Sequence, residues 1–240
     1  MADRRTAVRR PLLAPRTLAL ALALVALLLL PALTDWLQQP FYLRFATRVL
    51  AYGIAAMSLD LILGYGGLVS FGHAAFVGVG AYAVGILAWH ADDGSLLLGI
   101  VPGTQSAWIA WPAALACSAL AALLVGSVAL RTRGVSFIMI TLALAQIFYF
   151  LAVGLDKYGG IDGLQLPGPS TLPPFDLRDR TTLYYVSLAA LVLCALVCDR
   201  VVRSGFGAVL DGCRQNERRM RALGVVPFRH QLGAFVLAGT

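Results

Sequence analysis

The sequence predicts an all-α protein, a polytopic bundle of transmembrane helices that carries one amphipathic helix on its basic side. Three observations predict it. Hydrophobic residues make up 59% of the 240 residues and charged residues only 13%, against roughly 45–50% and about 25% in soluble domains. So little polar surface covers so much apolar mass only when lipid is the solvent. The apolar residues also fall in runs near the ~20 residues that cross ~30 Å of hydrocarbon. Finally, the 19 basic residues, all arginine except Lys157, gather between alternate runs.

Residues 1–17 read as a basic cytoplasmic tail with Arg4, Arg5, Arg9, Arg10 and Arg16. The first run, Leu18–Leu33, has no small-residue cleavage site behind it and is followed by more runs, so it reads as a membrane helix and not a secretory signal. Further runs cover 46–64, 72–90, 107–130, 135–154 and 183–199. A seventh begins near Gln231 and is cut at Thr240, so the chain reads as a piece of a longer protein. Residues 18–240 then form one incomplete transmembrane domain, interrupted by a basic loop at 203–230.

Alternating sides along the chain sorts the charges, provided that 65–71 is a short turn or a re-entrant piece on the tail's side. The tail holds five basic residues, the 131–134 turn two and the 200–230 segment seven, 14 of the 19 in all. The 91–106 segment holds Asp92 and Asp93 and no basic residue. Basic loops stay in the cytoplasm, so the N-terminus is expected inside and segments 91–106 and 155–182 outside. Cys117, Cys194, Cys198 and Cys213 show no metal or redox spacing and read as small hydrophobes in helices.

Two stretches carry features beyond spanning. Residues 64–85 hold glycine at 64, 66, 67, 72, 78, 80 and 85. Gly66 and Gly67 suit a break between helices, because glycine tolerates positive φ. Pairs such as Ala74/Gly78 and Ala81/Gly85 suit close helix packing in lipid. The alternative is a broken element lining a polar path, with Ser70 and His73 as its polar groups. Asp60 lies within the second run. A carboxylate in hydrocarbon is costly, so it is expected to face the protein interior or to sit at the membrane boundary. Asp60, Gly66, Gly67, Ser70, His73 and Gly78 are the candidate residues of a translocation path.

The second stretch is 204–224. Wound as a helix from Ala208, it places Val209, Cys213, Asn216, Met220 and Leu223 on one stripe and Arg214, Arg218 and Arg221 opposite. Glu217 and Arg221 make an i, i+4 pair, and Gly224 is a natural stop with Pro227 beyond it. Such a helix either lies on anionic lipid or docks a cytosolic partner. Lys157 is not in a G-x-x-x-x-G-K-[ST] setting, so the chain has no phosphate-binding P-loop. Nor does it show H-E-x-x-H, G-x-S-x-G or a close carboxylate pair. No enzyme activity, cofactor, metal or nucleic-acid partner is expected. Any ATP would be bound by another chain.

Four motifs in order carry a family resemblance. GYGGLVSFGHAAFVGVGAY (64–82) resembles the hallmark stretch of branched-chain amino-acid ABC transporter permeases, the LivM/LivH family. LRTRGVSFIMITLALAQIFYF (130–150) is similar to that family's segment after a short cytoplasmic turn, and GGIDGL (159–164) to its external loop. SGFGAVLDGCRQNERRMRALGVVPFRHQLGAFVLAG (204–239) resembles its coupling loop. The long first span and the 130–164 pattern favour the LivM half. The resemblance implies a multi-pass subunit of the bacterial inner membrane, working with a homologous permease, two cytosolic ATPases and a periplasmic binding protein. It implies ATPase coupling through Gly207, Arg214, Asn216, Glu217, Ala222, Leu223 and Gly224. Urea and short-chain amide permeases share these motifs. An ion-coupled secondary transporter would instead need midplane acids in several spans. Asp60 stands where such permeases often have Asn, and Ala208-Val209-Leu210-Asp211 replaces the usual arginine-rich start of the coupling loop.

Overall fold

A computed structural model describes residues 15–37, 39–97, 101–164, 166, 168–173 and 175–240. Residues 1–14 of the expected basic tail lie outside the described residues. Eight α-helices follow in order: α1 Pro15–Trp36, α2 Pro40–Asp60, α3 Ala74–Asp93, α4 Ala107–Ala129, α5 Val135–Val153, α6 Arg180–Val202, α7 Gly205–Ala222 and α8 Pro227–Gly239. A π-helical turn, Leu61–Tyr65, continues α2. The all-α expectation holds, with one short antiparallel pairing of Leu96–Leu97 with Val101–Pro102 between α3 and α4.

Five stretches are long and apolar enough to cross a membrane: Phe41–Tyr65, Ala74–Asp93, Ala107–Ala129, Val135–Val153 and Arg180–Val202. These are the runs expected from 46–64, 72–90, 107–130, 135–154 and 183–199. The first run lies in α1, whose apolar part, Leu18–Thr34, is shorter. The last begins earlier than expected, at Pro227. Proline at the first helical position costs no hydrogen bond, since that N–H has no intrahelical partner, and both α2 and α8 open on one.

Two groups of helices share the bundle. In one, α4 lays Ala121, Ala122, Val125 and Ala129 against Phe76 of α3, Phe137 of α5, and Phe235 and Ala238 of α8. In the other, Leu43 and Leu50 of α2 pack with Tyr184 and Leu188 of α6, beside Leu27 and Leu30 of α1. Leu61 and Ile62 of the π turn belong to the first core, so α2 starts in one group and ends in the other. Large apolar side chains such as Leu20 and Leu193 point outward. Lipid tails are as apolar as leucine, so an outer leucine gains little from turning inward.

Pro31 sits inside α1. It has no N–H for the Leu27 carbonyl one turn back. The Tyr184 hydroxyl donates to that carbonyl at 2.7 Å instead, and the Thr34 hydroxyl donates to the Pro31 carbonyl at 2.8 Å. Backbone groups in hydrocarbon have no water to turn to, so the proline in one helix fixes where a tyrosine of another must stand.

The loops sort onto two ends, as the charge pattern requires. At one end Arg133 pairs with Glu217 at 2.8 Å, and Arg214 donates to the Gly64 carbonyl at 2.7 Å. These contacts join the 131–134 turn, the 65–71 stretch and the 203–230 loop. At the other end the Ala107 amide donates to the Thr171 carbonyl and the Thr171 amide to the Gln105 carbonyl, both at 2.8 Å. His90 meets Tyr158 there at 2.9 Å. Segments 91–106 and 155–182 therefore share the arginine-poor end.

Candidate functional site

The amphipathic helix expected from Ala208 starts three residues earlier. Ser204 caps α7, its hydroxyl accepting from the Gly207 amide. A Cβ on Gly207 would land on the Val202 carbonyl, so only glycine lets α7 turn this close beneath α6. Asn216 breaks the helix with φ −157° and ψ 97°. Its side-chain oxygen accepts from the Arg219 amide at 3.0 Å, which makes it the N-cap of a second short helical piece. The break corrects the single stripe expected from Val209 to Leu223. The buried face is Gly207, Leu210 and Cys213, Asn216 is exposed, and Met220 folds back until its sulfur crowds Gly212. Leu223 is 72% exposed.

Glu217, one residue past the break, accepts from Arg221 and from Arg133. The expected Glu217–Arg221 pair is present at 2.8 Å, and the bond to Arg133 was not legible from sequence. Ala222 is exposed in the last turn. Gly224 ends the helix as expected, at φ +83°. Its amide donates to the Arg221 carbonyl and the Val225 amide to that of Met220, the two bonds of a Schellman stop. Burial first, and then the nearby Glu217 charge, push the Cys213 thiol up from its ordinary pKa, which keeps it protonated and inert at neutral pH.

Arg214 joins the two stretches singled out in the sequence. Its guanidinium reaches the Gly64 carbonyl at 2.7 Å and Asp211 at 2.9 Å. Its stem lies on Gly67, where φ is +66° and a Cβ would meet Arg214 Cγ at 2.7 Å. Asp60, Gly64, Tyr65, Gly207, Asp211 and Arg214 border an open cleft of about 560 Å³. Asp60 is exposed there and does not face the bundle interior. Asp60 ends α2, and the π turn Leu61–Tyr65 carries the apolar stretch one turn further.

The other candidates divide. Gly66 lies one turn beyond the Ile62 carbonyl, which a Cβ would meet at 2.6 Å. Ser70 and His73 are buried, with 5% and 6% of their surfaces exposed. His73 Nε2 lies 3.0 Å from the Ser58 hydroxyl, which itself donates to the Ala55 carbonyl. His73 Nδ1 and the Ser70 hydroxyl have no hydrogen-bond partner among the described residues. Between them Gly72 crosses α5 so closely that a Cβ would land on the Thr141 carbonyl. Gly78 is exposed with nothing within 4 Å of a Cβ, and Ala74 and Ala81 are exposed beside it. The pair Ala74/Gly78 therefore packs no helix within this chain, and of Ala81/Gly85 only Gly85 is buried, pressed on Leu164 of the loop after α5 and not on a helix. That task falls to Gly126, pressed on Leu232 and Phe235, and to Gly239, pressed on Ala122 and Phe76.

At the far end, sequence reasoning missed a cluster. His90 is 2% exposed and holds Ser95 with Nδ1 at 2.6 Å and the Tyr158 hydroxyl with Nε2. The Lys157 ammonium lies 5.1 Å over the Trp89 ring, within cation–π range. This cluster anchors the chain just before Gly159-Gly160-Ile161-Asp162-Gly163-Leu164, whose three glycines all take positive φ. A histidine and a tyrosine 68 residues apart leave no local signal. Among the described residues no group of His, Cys, Asp or Glu could hold a metal ion.

Residues 41–240 match the family described as branched-chain amino acid transport system / permease component. The chain belongs to that family. It is 27% identical over 241 residues to the high-affinity branched-chain amino acid transport system permease protein LivM of Escherichia coli K12, and to the LivM of Salmonella typhimurium LT2 to the same extent. Each match covers 90% of this chain and 54% of the relative, so the chain spans about half the length of the curated relatives it matches. No solved structure matches. Its family and its five long apolar helices make the chain a multi-pass membrane protein.

Proposed function

We propose that this chain is the membrane-spanning part of a permease in an ATP-driven importer of branched-chain amino acids, with α7 as the element on which a cytosolic ATPase docks. The observation that carries the reading is the shape of α7. It is pinned to the bundle on one side through Arg214 and Glu217. Away from these contacts it presents Leu223 together with Arg218 and Arg219, all exposed, beside Arg221 on Glu217. An apolar tip ringed by arginines fits an acidic-rimmed apolar groove on a soluble partner. The family and the LivM relatives support the substrate class over urea or short-chain amides. The acids of the five spans, Asp60, Asp92, Asp93 and Asp199, all lie near span ends and not at midplane, which speaks against ion coupling.

In this reading the arginine-rich end faces the cytoplasm of a bacterial inner membrane, and the N-terminus lies on that side. A homologous permease completes the pathway, a second ATPase sits beneath it, and a periplasmic binding protein delivers substrate to the other end. ATP is held by the ATPases, since this chain has no P-loop. The test is co-purification followed by uptake. Glu217→Ala frees Arg133 and loosens α7, and Gly224→Trp strains the stop at positive φ. Each is expected to weaken recovery of the ATPase or to separate hydrolysis from uptake. Normal recovery together with normal uptake in both variants would remove α7 as the docking element.

A further inference from the structure

We propose that Arg214 is a positioning residue that faces inward: it grips the end of α2 and carries displacement of α7 to the break at Gly64–Gly67. The inference rests on the proposed function above and assigns Arg214 a role that docking alone does not. The sequence placed Arg214 on the outer face of the amphipathic helix, where it would meet the partner. The structure turns it toward the bundle.

Four features support the grip. The Gly64 carbonyl stands near the end of the π turn, where carbonyls run out of helical partners, and the Arg214 guanidinium takes it up at 2.7 Å. Asp211, one turn earlier on α7, holds the same guanidinium from behind at 2.9 Å, which fixes the fork toward Gly64. The Arg214 stem rests on Gly67, and no residue with a side chain fits there beside it. Finally, the turn it grips is a π turn, a form met at functional sites. Its first two residues, Leu61 and Ile62, lie in the core with Phe76 and Phe235.

The path onward is short. Ser58, on the last turn of α2, meets His73 at the start of α3. His73 stacks edge-on against Phe76 at 5.5 Å, and Phe76 against Phe235 of α8 at 5.6 Å. A pull on Gly64 therefore acts on the ends of α2, α3 and α8 together. Arg133–Glu217 also ties α7 to the bundle, but through the exposed turn that precedes α5 and not through the end of α2.

The experiment compares Arg214→Ala, Arg214→Lys and wild type in the assembled transporter reconstituted in vesicles. Recovery of the ATPase, ATP hydrolysis and substrate uptake are measured, together with amide exchange over residues 61–68. Arg214→Ala is expected to recover the ATPase as wild type does, to hydrolyse ATP, and to lose uptake about tenfold with an unchanged KM, the size of effect that one charge-assisted hydrogen bond can carry. Exchange at 61–68 should rise. Arg214→Lys keeps one charged donor and should recover part of the uptake. Lysine also keeps the stem on Gly67, so it remains a valid variant if the alanine form fails to fold. Coupled uptake at the wild-type rate in Arg214→Ala overturns the proposal, and so does unchanged exchange at 61–68. Loss of the ATPase from Arg214→Ala would make Arg214 a docking contact and also overturn it. Failure of the wild-type chain to recover any ATPase would instead sink the importer reading itself, and the role of Arg214 with it.

Discussion

In the group formed by α3, α4, α5 and α8, glycine and alanine set the distance between helices. In the group formed by α1, α2 and α6, leucines and tyrosine hydroxyls do. Gly72, Gly126 and Gly239 each sit where a Cβ would strike a neighbour, whereas in the second group only Gly53 is near another helix, 3.2 Å from Leu191. Without a hydrophobic drive between helices in lipid, association rests on close packing or on polar handles. This molecule uses the first means where elements cross tightly around the Ser70–His73 stretch. It uses the second where a proline has left a carbonyl free.

The comparison predicts opposite sensitivities. Gly72→Ala should cause the largest loss, because its Cβ lands on backbone that cannot rotate away; overpacking of this kind typically costs about 1–3 kcal/mol or more. Gly78→Ala, with open space around it, should be neutral or stabilising by about 0.5–1 kcal/mol, the usual gain for replacing a mid-helix glycine. Thermal unfolding in detergent reads both. Equal melting temperatures would mean that the crossing at Thr141 is looser than the structure has it.

The polar handle of the second group gives a smaller effect. Tyr184→Phe strands the Leu27 carbonyl and should cost about 1–2 kcal/mol. In a Pro31→Ala background residue 31 regains its N–H and can take that carbonyl itself. The same tyrosine change should then cost much less. If the two changes add, the hydroxyl stabilises the helix pair by some means other than the proline's orphan.

The smallest effect lies at the arginine-poor end of α6, outside both cores. The Thr182 hydroxyl and then its amide donate to Asp179, and hold its carboxyl below the usual carboxylate range. A lowered folded pKa adds stability that is present above the unfolded value, about 3.9, and lost as pH falls through the folded one. The melting advantage of wild type over Asp179→Ala should therefore be full at neutral pH and shrink below about pH 4. An advantage that does not change with pH would assign it to the neutral hydrogen bonds alone.

The particulars show why some of this was legible in advance. Apolar runs near 20 residues and arginine-rich alternate loops follow from the cost of charge in hydrocarbon, which acts residue by residue, so span positions and the shared sides of loops could be read directly. Gly224, Ser204 and the Glu217–Arg221 pair act within a turn or two, and the two that the sequence reading named, Gly224 and Glu217–Arg221, are present. Asp60 was left between interior and boundary, and the structure exposes it on the cleft beside α7.

What only the tertiary structure decided involves partners far apart in sequence. Asn216 reads as a polar gap in a stripe until Met220 is seen folded back onto Gly212. Gly78 and Gly72 look alike in the chain; one faces open space and the other a carbonyl of α5. Arg214 belongs to an outward face by helical periodicity, yet the break at Gly64 brings an unpaired carbonyl within its reach 150 residues away. Local sequence fixes which groups need a partner, through helix ends, prolines and buried charge. Which distant group supplies the partner depends on how the helices cross, and that is settled by the packing of the whole bundle.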